Sequence, residues 1–117
     1  KGVASTIIGS WATILMDDGT TVLLVANAIG PCGVSMSANV ANQYGWYQRV
    51  GKASGQAATS FADNGLVWAT ATPGVVDDAV VDGDMVHNAK GASTITGAGL
   101  ADFEIDRPYN DDITTND

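Results

Sequence analysis

The chain has 117 residues, of which 13 are acidic and 5 are basic, so its formal net charge is −8. A chain this acidic lacks the basic face that a nucleic-acid-binding protein needs. No apolar run approaches the roughly 18 residues that a membrane-spanning helix requires. The single cysteine excludes an internal disulfide framework, and a hydrophobic fraction of 45% is too high for a disordered chain. One folded domain remains, and we expect neither a nucleic-acid partner nor a membrane partner.

The composition favours β-structure. Val, Ile and Thr together number 30, whereas Leu, Glu, Lys, Arg, Gln and Met together number 17. The first group prefers strands and the second contains the good helix formers. Six or seven short strands separated by turn signals predict a small single-domain β-barrel or β-sandwich, β-tulip-like and with little helix. We expect this β domain over residues 1–109, with residues 1–10 either an N-terminal arm or its first strand, and a polar acidic tail over 110–117.

The first half of the chain begins with a hairpin signal. Residues 11–16 and 20–25 are apolar and β-branched, and they flank the turn sequence Asp17-Asp18-Gly19. Residues 44–50 predict a strand with an aromatic face. Residues 51–65, rich in Ala, Ser and Gly, read as a looser stretch.

The second half continues the strand pattern. Residues 66–72 predict a strand that ends at a Pro-Gly turn, and residues 75–81 are either a helical turn or a bulged strand. A short strand is expected over 85–89. Residues 100–106 alternate between apolar and acidic side chains, which is typical of a strand with one buried and one wet face. Arg107-Pro108 is expected to end that strand.

Large side chains in the predicted strands are expected to form the core, because aromatic rings in apolar strands usually pack inside a β domain. These residues are Trp11, Tyr44, Trp46, Trp68, Phe103 and Ile105.

The net charge is not spread evenly along the chain. Residues 1–76 contain three acidic and three basic side chains and are neutral, whereas residues 77–117 contain ten acidic and two basic side chains. Such asymmetry is typical of an interaction face or a solvating face.

Few side chains in this sequence could act in catalysis or bind a metal. His87 is the one histidine, and Cys32 the one cysteine. Either would need a partner that the sequence alone does not provide, so a strand histidine and an inert buried thiol are the simpler interpretations. One His and one Cys do not make a zinc site. We therefore predict no enzyme, no catalytic residue, no cofactor and no metal site.

The residue types present leave two binding functions open, calcium binding and carbohydrate binding. Asp77, Asp78, Asp82 and Asp84 carry oxygen ligands for calcium, but their spacing does not match an EF-hand loop. The tryptophans and Tyr44, Tyr47 and Tyr109 are the ring types that stack on sugars.

The middle of the chain has a sequence that is similar to part of a known group of proteins. Residues 33–53, with the run Tyr44-Gly45-Trp46, resemble a segment of small head proteins of tailed bacteriophages. The turn Ala71-Thr72-Pro73-Gly74 and a closing strand that ends at Pro108 follow in the same order. The resemblance covers roughly residues 5–108 and is to capsid decoration, or cement, proteins.

The resemblance implies a structural protein with no catalysis. Proteins of this kind bind the outside of an expanded icosahedral capsid, often as trimers, and bridge neighbouring subunits of the major capsid protein. We therefore expect the major capsid protein as partner, a homotrimer or another homo-oligomer, and a place on the virion exterior after synthesis in the host cytoplasm.

Contacts with the capsid are expected from neutral segments with small side chains, namely residues 1–10 and a loop over 52–61, because charged side chains are depleted at interface cores. An N-terminal arm is one way to add a strand to a capsid sheet. The candidate contact residues are Thr6, Ile7, Ile8, Lys52, Ser54, Gln56 and Phe61.

Two rival functions are a carbohydrate- or receptor-binding module and a small hydrolase or metal-dependent enzyme. The first needs an exposed ring pair among Trp11, Trp46, Trp68 and Tyr47. The second needs His87 close to Cys32 or to Asp82 and Asp84, and it fails if His87 has no titratable neighbour within hydrogen-bond reach.

Overall fold

Strands account for all the regular structure that the computed structural model describes, which covers residues 2–112. This part of the chain contains no helix, and so none that is long and apolar enough to cross a membrane. Its nine strands are β1 (Trp11–Ile14), β2 (Thr21–Leu23), β3 (Gly30–Ser35), β4 (Tyr47–Gln48), β5 (Val50–Ala57), β6 (Leu66–Ala69), β7 (Val76–Asp77), β8 (Met85–Gly91) and β9 (Gly99–Asn110).

Five of the strands close into a barrel because β9 is paired on both edges. On one edge β9 runs antiparallel to β5 from Val50↔Asp106 to Ala57↔Gly99. On its other edge it pairs with β8, which pairs with β6. β7 joins β6 to β5 and completes the ring. The predicted small β domain is confirmed, and its form is a closed five-stranded barrel with extra strands.

The extra strands form a sheet that leaves the barrel at the end of β9. Tyr109 pairs with Pro31 of β3, which pairs in turn with β1. β1 and β2 form the hairpin predicted around Asp17-Asp18-Gly19, and Gly19 has a φ of 73°, as a turn glycine permits. β4 pairs with β3.

The core is built around Phe103, which packs edge-to-face against Trp11 at 5.1 Å and against Phe61 at 5.0 Å between ring centroids. Trp11, Trp68, Phe103 and Ile105 are buried, as predicted. Phe61 is also fully buried, so its prediction as a contact residue is wrong. Its ring fills the space beside Phe103 that short side chains in the neighbouring strands leave open.

The loop predicted over residues 52–61 is largely a strand, and that prediction is also wrong. Residues 52–57 belong to β5, which is hydrogen-bonded to β9 along its whole length. Ala53, Gly55 and Ala57 face the core, and Lys52 and Ser54 face outward. Ala, Ser and Gly have low intrinsic strand preference, and here the need for small side chains beside large rings overrides it.

β9 does not end at Arg107-Pro108, in contrast to the prediction. Arg107 adopts a left-handed φ of 50°, and the register between β8 and β9 shifts at this point, so a bulge absorbs the proline. Pro108 and Asn110 are buried and the strand continues to Asn110. The tail predicted from residue 110 therefore begins no earlier than Asp111, and residues 113–117 lie outside the described part.

The aromatic strand predicted over residues 44–50 is confined to Tyr47–Gln48 of β4, with Val50 already in β5. Tyr44 and Trp46 lie before β4 and are 82% and 81% exposed. Their prediction as core residues is wrong because no strand covers the segment that carries them.

A candidate binding surface

Two irregular segments lie side by side at the edge of the small sheet. Residues 2–10 are tied to residues 35–43 by backbone bonds: Asn39 N donates to Thr6 O at 3.0 Å, and Gly9 N donates to Ser35 O at 2.8 Å. Thr6 and Asn39 also form an isolated β-bridge, and Thr6 is only 2% exposed. Residues 2–10 are therefore neither a free arm nor a regular strand, and Thr6 is not an exposed contact residue.

Large apolar side chains project into solvent from these two segments and from residues 44–46, which follow the second one. We refer to them together as the apolar surface: Ile7, Ile8, Met36, Val40, Tyr44 and Trp46, each more than half exposed. Ile8 and Met36 share one groove and Tyr44 and Trp46 share another. Exposed apolar side chains that are grouped on a protein surface often serve binding. The sequence pattern did not reveal it, because aromatic residues next to a short strand look the same whether they point in or out.

Hydrogen bonds and close packing on Asn39 and Tyr47 hold the loop that carries the exposed rings of Tyr44 and Trp46. Asn39 is 9% exposed, and its Nδ2 donates to the Tyr47 hydroxyl at 3.2 Å. The same hydroxyl lies 3.1 Å from Thr21 Oγ1. A Cβ at Gly45 would come within 2.5 Å of the Asn39 amide, so glycine allows this close approach. The loop thus presents Tyr44 and Trp46 from a fixed base.

Several predicted contact residues meet beside the apolar surface. Ile8 and Met36 line a shallow groove of about 230 Å³ together with Lys52 and Ser54. Gln56 Nε2 donates to the Ile8 carbonyl at 2.9 Å, which fixes the backbone next to the groove. The groove therefore brings together residues from both segments in which contacts were predicted.

The apolar surface itself contains no charged side chain, and Lys52 lies at its border in the groove. Asp17 and Asp18 are the only charged side chains in residues 2–48, and they lie on the turn between β1 and β2. The nearest ion pair on β5 joins Lys52 Nζ to Asp102 Oδ2 at 3.9 Å, with both side chains well exposed. A neutral patch of this kind resembles the core of a protein interface, where charged side chains are depleted.

The candidate catalytic residues occupy another region, at the junction of β3, β8 and β9. Cys32 Sγ donates to Asn110 Oδ1 at 2.9 Å. Burial raises the pKa of the Cys32 thiol from its ordinary 9.0 to about 12, although the nearby Arg49 works in the opposite direction. The thiol is therefore protonated near neutral pH and is a poor nucleophile.

His87 does have a titratable neighbour, but it is Asp111, which is not among the residues that the hydrolase hypothesis named. Its Nε2 lies 3.1 Å from Asp111 Oδ2, and its ring stacks on Tyr109 with centroids 4.8 Å apart. The contact ties the end of β9 to β8.

The aspartates that were considered for calcium accept backbone hydrogen bonds. Asp84 is buried and its Oδ1 accepts from Asn27 N at 2.7 Å, and Asp78 Oδ2 accepts from Ala62 N at 3.0 Å. Within residues 2–112, no three His, Cys, Asp or Glu side chains come close enough together to hold a metal ion. These carboxylates fix loops to the barrel.

Of the rings considered for sugar binding, Trp11 and Trp68 are buried and Tyr47 is half-buried. Trp46 and Tyr44 are more than 80% exposed and line a small cleft together, and Tyr109 is 42% exposed.

No protein-family model, curated protein or solved structure matches this chain.

Proposed function

We propose that this protein is a non-enzymatic virion component that decorates the outside of an icosahedral phage capsid and bridges subunits of the major capsid protein. The observation that carries the proposal is the uncharged apolar surface, with Tyr44 and Trp46 more than 80% exposed. Binding energy at protein interfaces is concentrated in such aromatic anchors. They also lie in the segment whose sequence resembles phage head proteins, which gives the partner.

The stabilising mechanism is thermodynamic linkage. A protein that binds only the assembled, expanded shell lowers the free energy of that state by mass action. Many copies, acting as a homotrimer or another homo-oligomer on a symmetric lattice, add multivalency. This function needs no cofactor and no catalysis, and it places the protein on the virion exterior after synthesis in the host cytoplasm.

Co-sedimentation tests the proposal directly. Wild-type protein is mixed with purified expanded heads and with unexpanded proheads of the phage that encodes it, and the pellets are compared. We expect the protein to pellet with expanded heads. The double variant Tyr44→Ser/Trp46→Ser should bind at least tenfold more weakly, because two aromatic anchors are removed.

Met16→Ser is the matched control, since Met16 is 80% exposed but lies on the β1–β2 turn, away from the apolar surface. It should bind like the wild type. Protein that stays in the supernatant with both kinds of particle would contradict capsid decoration, and equal pelleting by all variants would contradict the assignment to this surface.

A carbohydrate-binding function is the second candidate, and the cleft shared by Tyr44 and Trp46 favours it. Exposed rings bind sugars through their apolar faces, and binding changes tryptophan emission. Titration with chitotetraose and maltotetraose, monitored by Trp46 fluorescence against a Trp46→Phe background, tests it. A saturable change confined to the chain that retains Trp46 would support the function, and no change at millimolar sugar would reject it.

A further inference from the structure

A second groove lies where β6, β8 and β9 meet and shares no residue with the apolar surface. It has a volume of about 390 Å³ and crosses three strands. Leu66 of β6, Met85 and Ala89 of β8, and Ile105 of β9 contribute its apolar lining. Ala89 and Ile105 are buried and form the floor, whereas Leu66 is 47% exposed at the wall.

Two register shifts lie in the strands that line this groove. Leu66 pairs with Lys90, but the next residue of β6, Val67, pairs with Val86, so β8 carries three extra residues there. On its other side β8 pairs with β9 through a second irregularity between His87 and Ala89. Asn88 lies within both shifts, with a left-handed φ of 62°. A bulge of this kind disrupts the strand pairing locally and bends the bulged strand.

The charges at the groove are unbalanced. Glu104 and Asp106 are two residues apart on β9, so both face outward along one wall. Lys90 lies opposite Glu104, yet in the described part of the chain none of these three side chains forms an ion pair within 4.0 Å. The groove therefore combines an apolar floor with two carboxylates and one lysine, which give it a net charge of −1.

We propose that this groove binds an extended peptide segment of a partner protein in which a bulky aliphatic side chain stands next to Lys or Arg. The aliphatic group covers Ala89 and Ile105, and the cation reaches Glu104 and Asp106. A groove that crosses three strands suits an extended peptide, and its net negative charge disfavours acidic segments. This site does not depend on the proposed capsid function.

A second copy of this chain does not fit as the occupant. Arg49–Val50 is the one place in residues 2–112 where a basic side chain adjoins Val, Leu, Ile or Met. Arg49 is half-buried, and its Nε already donates to the Cys32 carbonyl at 3.1 Å. Val50 lies in β5 and is paired with β9. The partner is therefore a different protein.

The test uses the full, ¹⁵N-labelled chain and three probes: the peptides Ac-Gly-Leu-Arg-Gly-NH₂ and Ac-Gly-Leu-Glu-Gly-NH₂, and n-hexylamine. We expect the arginine peptide to shift the amide signals of Ala89, Lys90 and Glu104. The glutamate peptide should bind at least tenfold more weakly, since it places like charges together. The amine should also bind more weakly than the peptide, because it lacks the backbone that spans the groove.

Variants locate the site. Glu104→Gln/Asp106→Asn should weaken binding of the arginine peptide about fivefold, as two exposed charge pairs are lost. Asp17→Asn/Asp63→Asn changes the net charge equally at other sites and should leave the affinity unchanged. The proposal is overturned if the arginine peptide shifts no groove signal, if the glutamate peptide binds equally well, if hexylamine binds as tightly as the peptide, or if both double variants behave alike.

Discussion

Gly55→Ala tests the packing that joins the barrel to the small sheet. Gly55 lies in β5 opposite Ala101, and a Cβ added there would lie 2.5 Å from Trp11 Nε1 and 3.2 Å from Phe103 Cδ1. Both rings are fully buried and pack against each other, so neither has space to withdraw. Overpacking of this kind costs about 1–3 kcal/mol. Replacing glycine by alanine also raises the free energy of unfolding by roughly 0.4–1 kcal/mol, because alanine lowers the conformational entropy of the unfolded chain.

The expected net loss in the free energy of unfolding is thus about 1–2 kcal/mol, or a Tm lower by roughly 4–8 °C for a domain of this size. Thermal and urea unfolding, followed by circular dichroism, measure it. Gly97→Ala is the matched control, because a Cβ at Gly97 meets no atom within 4 Å. It should be neutral or slightly stabilising.

A double-mutant cycle then identifies the cause. Trp11 Nε1 is buried and has no hydrogen-bond partner among residues 2–112. Trp11→Phe therefore removes the atom that the new methyl group meets without breaking a hydrogen bond seen in that part of the chain. Gly55→Ala should cost less in the Trp11→Phe background than in the wild type. Equal stability of the Gly55→Ala and Gly97→Ala variants, or an unchanged cost in that background, would refute the packing argument.

Two further predictions concern Phe61 and Cys32. Phe61→Ala should lower the free energy of unfolding by about 3–5 kcal/mol in urea titrations, because the ring is fully buried against Phe103; an unchanged midpoint would place Phe61 on the surface after all. Burial raises the pKa of the Cys32 thiol from 9.0 to about 12, so its contribution to the stability of the folded state is fully present below pH 9.0. That contribution is lost as the pH rises from 9.0 towards about 12, because the unfolded chain releases the proton first. Native protein should therefore resist iodoacetamide at pH 8 and react once unfolded, whereas fast native labelling would contradict its burial.

Local sequence signals identified the elements whose structure depends on nearby residues. The β1–β2 hairpin follows from a turn sequence between two apolar runs. The alternation of Ala101, Phe103 and Ile105 with acidic neighbours specified the buried and exposed faces of β9. Both signals work because side chains in a strand alternate faces whatever the rest of the fold does.

The candidate surface was only partly predictable. Ile7 and Ile8 were identified as contacts, and both are exposed. Tyr44 and Trp46 were assigned to the core, although their exposure makes them the leading binding candidates. Burial of an aromatic ring depends on which strands pack over it, and β4 begins only at Tyr47, after both residues.

The sequence by itself determined the β class, the hairpin, the two faces of β9 and the neutral character of residues 2–48 apart from one turn, because composition and alternation are local properties. Only the tertiary structure decided that β5 is a strand, that β9 closes the barrel through both edges, and which apolar residues stay in solvent. Those outcomes depend on pairings between distant residues, such as Gly55 with Ala101 under the Trp11 ring. Glycine permits that approach, but the partners that make it necessary lie elsewhere in the chain.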